Sequence, residues 1–154
     1  MTQENKEFLL KDLCARIPYN VVGKCELDAS YDTSFDTVFQ THKFNAEVYG
    51  IKEDLLLVTP LIEDNDEQTY AEEEIADGVS ILDFTPYLFP LSSMTDEELE
   101  DYQKIRMIDW VHGDINGTFI NAGLIVDWLN AHHFDYRNLI NKNLAIDCTN
   151  LNIY

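Results

Sequence analysis

Glycine and proline are scarce in this sequence, at six and four of 154 residues. That excludes a collagen-like chain or a Pro/Gly-rich low-complexity one. Long apolar runs are missing too. The densest clusters, Leu55 to Val58 and Gly123 to Val126, fall far short of the ~20 apolar residues that span a bilayer. The opening Met-Thr-Gln-Glu-Asn-Lys-Glu has neither the basic nor the apolar region of a secretory signal, which points to a cytoplasmic protein. Cys14, Cys25 and Cys148 are few, far apart and without a CxxC pair. They are expected to be reduced thiols packed as small hydrophobes. There is no glycine-rich phosphate loop and no G-x-S-x-G elbow.

Basic residues are also unevenly missing. Residues 63–101 carry fourteen acids and no Lys or Arg, out of a net charge of −19 for the chain. Contact between that segment and nucleic-acid phosphates would be repulsive, since such binding relies on Lys and Arg displacing counterions. Anionic membranes are disfavoured for the same reason. What is present suits an ordinary core: 45% apolar and 12% aromatic residues.

The pattern predicts a single α+β domain over 1–154, β-rich over about 18–90 and helical over about 95–143. A helix over 5–16 would bury Leu10, Leu13, Cys14 and Ile17, ending at Pro18. Strands are expected at Val21–Leu27, Thr37–Phe44, Ala46–Ile51 and Leu55–Leu61, with 28–36 a loop. Val79–Phe84 would close them into a small antiparallel sheet or SH3-like barrel. Thr85–Pro90 is excluded as a central strand by its two prolines. Residues 63–78 read as a solvated acidic loop. Thr95 and Glu98 form a capping box for a helix over 96–107, with Met94 and Leu99 at the staple positions. Asn116-Gly117 signals a type I′ turn. A second helix is expected over 122–133, with Ile125, Trp128, Leu129 and His132 on one face. A third, short helix would be capped by Asp135, with Tyr136, Leu139 and Ile140 inward. Leu144–Tyr154 would add a strand or a docked tail.

Three blocks carry a resemblance. They are Lys11–Tyr19 (KDLCARIPY), Pro86–Thr95 (PYLFPLSSMT) and Asp127–Ile140 (DWLNAHHFDYRNLI). Together they resemble a family of uncharacterised proteins encoded by phages and prophages of gut Bacteroidales. The resemblance implies a phage-related context in a host bacterial cell and no known activity. This chain has Phe89 where that family usually has Arg, and Asn138 where it usually has Gly.

Two sets of residues stand out as candidate sites. The acids Glu63, Asp64, Asp66, Glu67, Glu72, Glu73 and Glu74 would attract a basic protein partner over about a Debye length. The cluster His132, His133, Asp135 and Arg137 gathers two imidazoles, a carboxylate and a guanidinium near one helix turn. Adjacent histidines on a helix diverge by ~100°, so they make poor joint metal ligands. Asp109, His112 and Asp114 are a weak metal set, and Asp64-Asn65-Asp66 lacks the Gly and Glu that complete a calcium loop. No metal or cofactor is expected. The leading expectation is a non-enzymatic phage accessory protein that binds another protein. The alternatives are an acidic inhibitor or nucleic-acid mimic directed at a host nucleic-acid-binding or defence protein, and a metal-dependent enzyme.

Overall fold

A computed structural model describes residues 1–32, 37–53, 55–62, 75, 77–107 and 115–154. The elements are α1 (Gln3–Arg16), β1 (Val22–Asp32), β2 (Thr37–Lys52), β3 (Leu55–Pro60), β4 (Val79–Ser80), β5 (Phe84–Leu88), α2 (Asp96–Met107), α3 (Ile115–Ala131) and β6 (Ile146–Asp147). The six strands form one sheet in the order β4-β3-β2-β1-β5-β6. Every pairing is antiparallel except β5 with β6. The fold is therefore α+β, with a helix before the sheet and two helices after most of it.

The expected barrel does not form: among the described residues no pairing joins the edge strands β4 and β6. The sheet nevertheless curls steeply. Flat, the four inter-strand steps between β4 and β5 would separate them by roughly 19 Å. The Ser80-to-Phe84 connection spans at most about 14 Å when fully extended. The 3-10 turn Ile81–Asp83, started by a hydrogen bond from Leu82 N to Ser80 Oγ, swings the chain from one edge toward the other.

Several strand expectations need correction. β1 continues through Asp28 to Asp32, because β2 pairs with it continuously from Glu47 back to Thr37. The two predicted runs at 37–51 are one 16-residue strand, irregular only between Val48 and Gly50. Pro86 does lie in a strand with neighbours on both sides. It pairs with Gly23 of β1, but the β6 ladder begins only at Tyr87, so its missing donor interrupts nothing on that side. Gly23 is needed here, since a Cβ at this position would sit 2.2 Å from the Phe84 ring.

The main core lies between α1 and the sheet. Leu9 and Leu13 pack with Val21, Cys25, Ala46, Val48, Leu56, Phe84 and Leu88. The α1 face is rotated from the predicted one: Leu9, Asp12, Leu13 and Arg16 are buried, while Cys14 is exposed. Two charges one turn apart can occupy a buried face when they pair with each other, a possibility that apolar periodicity ignores. Cys25 and Cys148 are buried as expected, and burial raises their thiols to about 12 and about 11. Ile75, inside the predicted acidic loop, is a core residue. On the other side of the sheet Val22, Tyr87 and Cys148 form a smaller cluster with Phe89, Ile146 and Ile153.

α2 starts as predicted. Thr95 N donates to Glu98 Oε2 at 2.8 Å, and Glu98 N donates to Thr95 Oγ1 at 3.2 Å. Leu99 is exposed. The Asn116-Gly117 pair lies in the first turn of α3 rather than in a hairpin turn. The first N–H groups of a helix have no intrahelical partner, so these residues disturb little there. The predicted third helix is reduced to a single 3-10 turn, Ile140–Lys142. No helix among the described residues is long and apolar enough to cross a membrane.

Candidate functional site

The predicted cluster 132–137 begins where α3 ends. Phe134 N donates to Leu129 O at 2.9 Å and His133 N to Asn130 O at 3.1 Å. These two bonds make a Schellman motif, whose left-handed position is usually glycine. Here it is His133, with φ +56° and only 8% exposed. Asn138, at φ +63°, holds a second left-handed position, which Asn and Gly adopt at least cost.

Each side chain of the cluster then has a local partner. His132 Nδ1 lies 2.9 Å from Trp128 O, and its ring stacks on Trp128 with centroids 4.0 Å apart. A carbonyl only accepts, so Nδ1 carries the proton of this hydrogen bond. The His133 ring stacks on Tyr154 at 3.6 Å. Burial, then the Arg16 and His132 charges, lower its pKa to about 4. Asp135 accepts from Leu139 N and Ile140 N, both at 2.8 Å, so its predicted capping role holds for a turn rather than a helix.

Arg137 Nε lies 3.2 Å from Asp12 Oδ1. Asp12 is also the partner of Arg16, whose Nε meets Asp12 Oδ2 at 2.7 Å with both side chains fully buried. Arg16 Nη2 donates to Phe134 O at 2.8 Å. Phe134 bridges to Phe89, and Asp135 N donates to Phe89 O at 2.8 Å. The three blocks that carry the sequence resemblance are thus brought together at one junction: Asp12 and Arg16 from the first, Phe89 from the second, Phe134 to Arg137 from the third.

Asp12, Arg16, Asn130 and Tyr154 belong to this junction and were not among the predicted site residues. The Asp12–Arg16 spacing of four within a helix was the available signal. Tyr154 carried none, because its role depends on a distant strand. Its hydroxyl donates to Tyr87 O at 2.9 Å and accepts from Val22 N at 3.2 Å, while its ring stays partly exposed. Among the described residues Arg16 Nη1, Asn130 Oδ1, His133 Nδ1 and Tyr136 Oη are buried with no hydrogen-bond partner. The junction ties α1, the 89–95 segment and the turn after α3 to one another through these contacts.

Two cavities flank the 89–95 segment. One, of about 240 Å³, is lined by Phe89, Ser93, Thr95, Glu98, Phe134 and Thr149. The other, of about 260 Å³, lies against Leu91, Asp135 and Asn138. The predicted partner-binding acids Glu63, Asp64, Asp66, Glu67, Glu72, Glu73 and Glu74 lie outside the described residues, as do Asp109, His112 and Asp114. Among the described residues no group of three or more His, Cys, Asp or Glu is placed to hold a metal ion. Comparison of the chain with models of known protein families, with curated protein sequences and with solved structures finds no match.

Proposed function

We propose that this chain is a non-enzymatic accessory protein of the phage-related class its three blocks resemble, acting by binding a basic protein partner. The observation that carries this reading is the charge asymmetry: fourteen acids and no base over residues 63–101. The described end of that segment is held in order. α2 begins with Asp96, Glu97 and Glu98 in its first turn and buries none of its residues. It is tied to α3 through Tyr102 and Trp128, whose ring centroids lie 5.7 Å apart. Lys104 offsets only the later acids, at 3.2 Å from Glu100 and 2.9 Å from Asp101. Such a field steers a basic partner to the surface and loses reach as salt rises.

A second reading, an acidic inhibitor of a host nucleic-acid-binding or defence protein, is favoured by the same acids standing on a helix. Mimicry of phosphate rows needs charges in fixed positions. A tagged pull-down from Bacteroidales lysate at low and high salt, read by mass spectrometry, tests both. A basic partner lost at high salt supports the acidic-surface reading, and a nucleic-acid-binding protein among the captured species selects the second form of it. No enrichment at either salt overturns both for that host.

A further inference from the structure

The cavity between Phe89, Phe134 and the start of α2 has an unusual hydrogen-bonding inventory. The backbone N–H groups of the six described lining residues are all already donating. Phe89 N donates to His133 O, Ser93 N to Pro90 O and Phe134 N to Leu129 O. Thr95 N donates to Glu98 Oε2, Glu98 N to Thr95 Oγ1 and Thr149 N to Asp147 Oδ1. The hydroxyl protons are spent as well. Ser93 Oγ donates to Pro90 O at 2.8 Å, Thr95 Oγ1 to Glu98 Oε2 at 2.9 Å and Thr149 Oγ1 to Asp147 Oδ1 at 2.6 Å.

What the lining has left is acceptors and a ring. Glu98 is half-buried and commits only Oε2 to the capping box. Its Oε1 and the hydroxyl lone pairs remain, beside the partly exposed ring of Phe89, which rests on the buried Phe134 with centroids 6.2 Å apart. Among the described residues that line it, none is basic. An anion or a carbonyl would find no donor here, while an organic cation finds a carboxylate, oxygen acceptors and an aromatic ring. The volume of about 240 Å³ is below the usual range for a nucleotide or drug-sized ligand, and suits the end of one side chain.

We propose that this cavity receives an arginine side chain of a protein partner, with the guanidinium against Glu98 Oε1 and the partly exposed Phe89 ring. Guanidinium fits better than ammonium because its plane stacks on a ring while its edge donates to a carboxylate. The proposal depends on the protein-binding reading only for the identity of the chain that carries the arginine. The titration below needs no partner, so its outcome is independent of the pull-down.

The test is an NMR titration of the full chain with N-acetyl-arginine amide, following the Thr95, Glu98 and Thr149 amides. N-acetyl-citrulline amide, its uncharged isostere, is the comparison. Saturable shifts at those amides are expected, with citrulline weaker by about tenfold or more. Glu98→Gln should weaken arginine binding by about tenfold while keeping the helix start, since Gln also serves in a capping box. Thr149→Lys, which brings a resident ammonium to the rim, should abolish it. Equal shifts from citrulline, shifts confined to other residues, no saturable shift, or Glu98→Gln and Thr149→Lys both binding as the parent does would overturn the assignment.

Discussion

Asp12 and Arg16 stand one helical turn apart on α1 and meet at 2.7 Å with neither side chain exposed. Arg137 approaches the same carboxylate, and Arg16 also holds the carbonyl of Phe134. The pair therefore fastens the first helix to the turn after α3. Removing one partner of a buried pair strands the other charge, so Asp12→Ala should cost about 3–5 kcal/mol in urea unfolding. Replacing both residues by Leu and Met should recover at least half of that loss, because the fully buried Arg16 charge is no longer stranded and only the partly exposed Arg137 loses its partner. A double variant as unstable as the single one would show that the Phe134 carbonyl contact, rather than the ion pair, dominates.

His133 makes stability depend on pH. Its pKa falls from 6.5 to about 4 in the folded chain. Between these values the unfolded chain takes up a proton that the folded chain rejects. The contribution is complete above pH 6.5 and is lost as pH falls toward 4, amounting to about 3 kcal/mol. His133→Asn keeps a residue that tolerates φ +56° and should flatten this part of the pH–stability curve. An unchanged slope would assign the dependence to other groups.

Gly23 faces the ring of Phe84 across the β1–β5 pairing, with room for no Cβ. Gly23→Ala should destabilise by about 1–3 kcal/mol, the usual cost of overpacking. Chemical denaturation reads it, and Phe84→Leu in the same background should restore part of the loss by removing the ring that clashes.

Trp128 stacks with His132 and with Phe134, at 4.0 and 5.7 Å between centroids, and is half-buried. It joins the helices to each other, while Phe134 makes the link onward to Phe89 and the sheet. Trp128→Ala should cost about 3 kcal/mol, the lower end for a buried tryptophan. A loss below about 1 kcal/mol in thermal or urea unfolding would make Trp128 a surface residue and a candidate contact for a partner.

Sequence alone was enough wherever the deciding contacts lie within a few residues. The start of α2 is set by Thr95 and Glu98 bonding to each other's backbone, and Asp135 seizes the N–H groups four and five residues on. The concentration of acid over 63–101 is likewise a property of the chain itself. Tertiary structure decided what depends on distant partners. The α1 face turned toward Asp12 and Arg16 because Phe134 and Arg137 meet them there. Pro86 entered a strand because β6 begins one residue later. Asn116-Gly117 lies in the first turn of α3, where a helix tolerates it, and the sheet curled without closing because strand pairing is decided by distant partners. The arginine-sized cavity belongs to this second class. Its lining is assembled by tertiary structure, with Phe89 N donating across to His133 O, while Ser93, Thr95, Glu98, Phe134 and Thr149 spend their donors within their own turns.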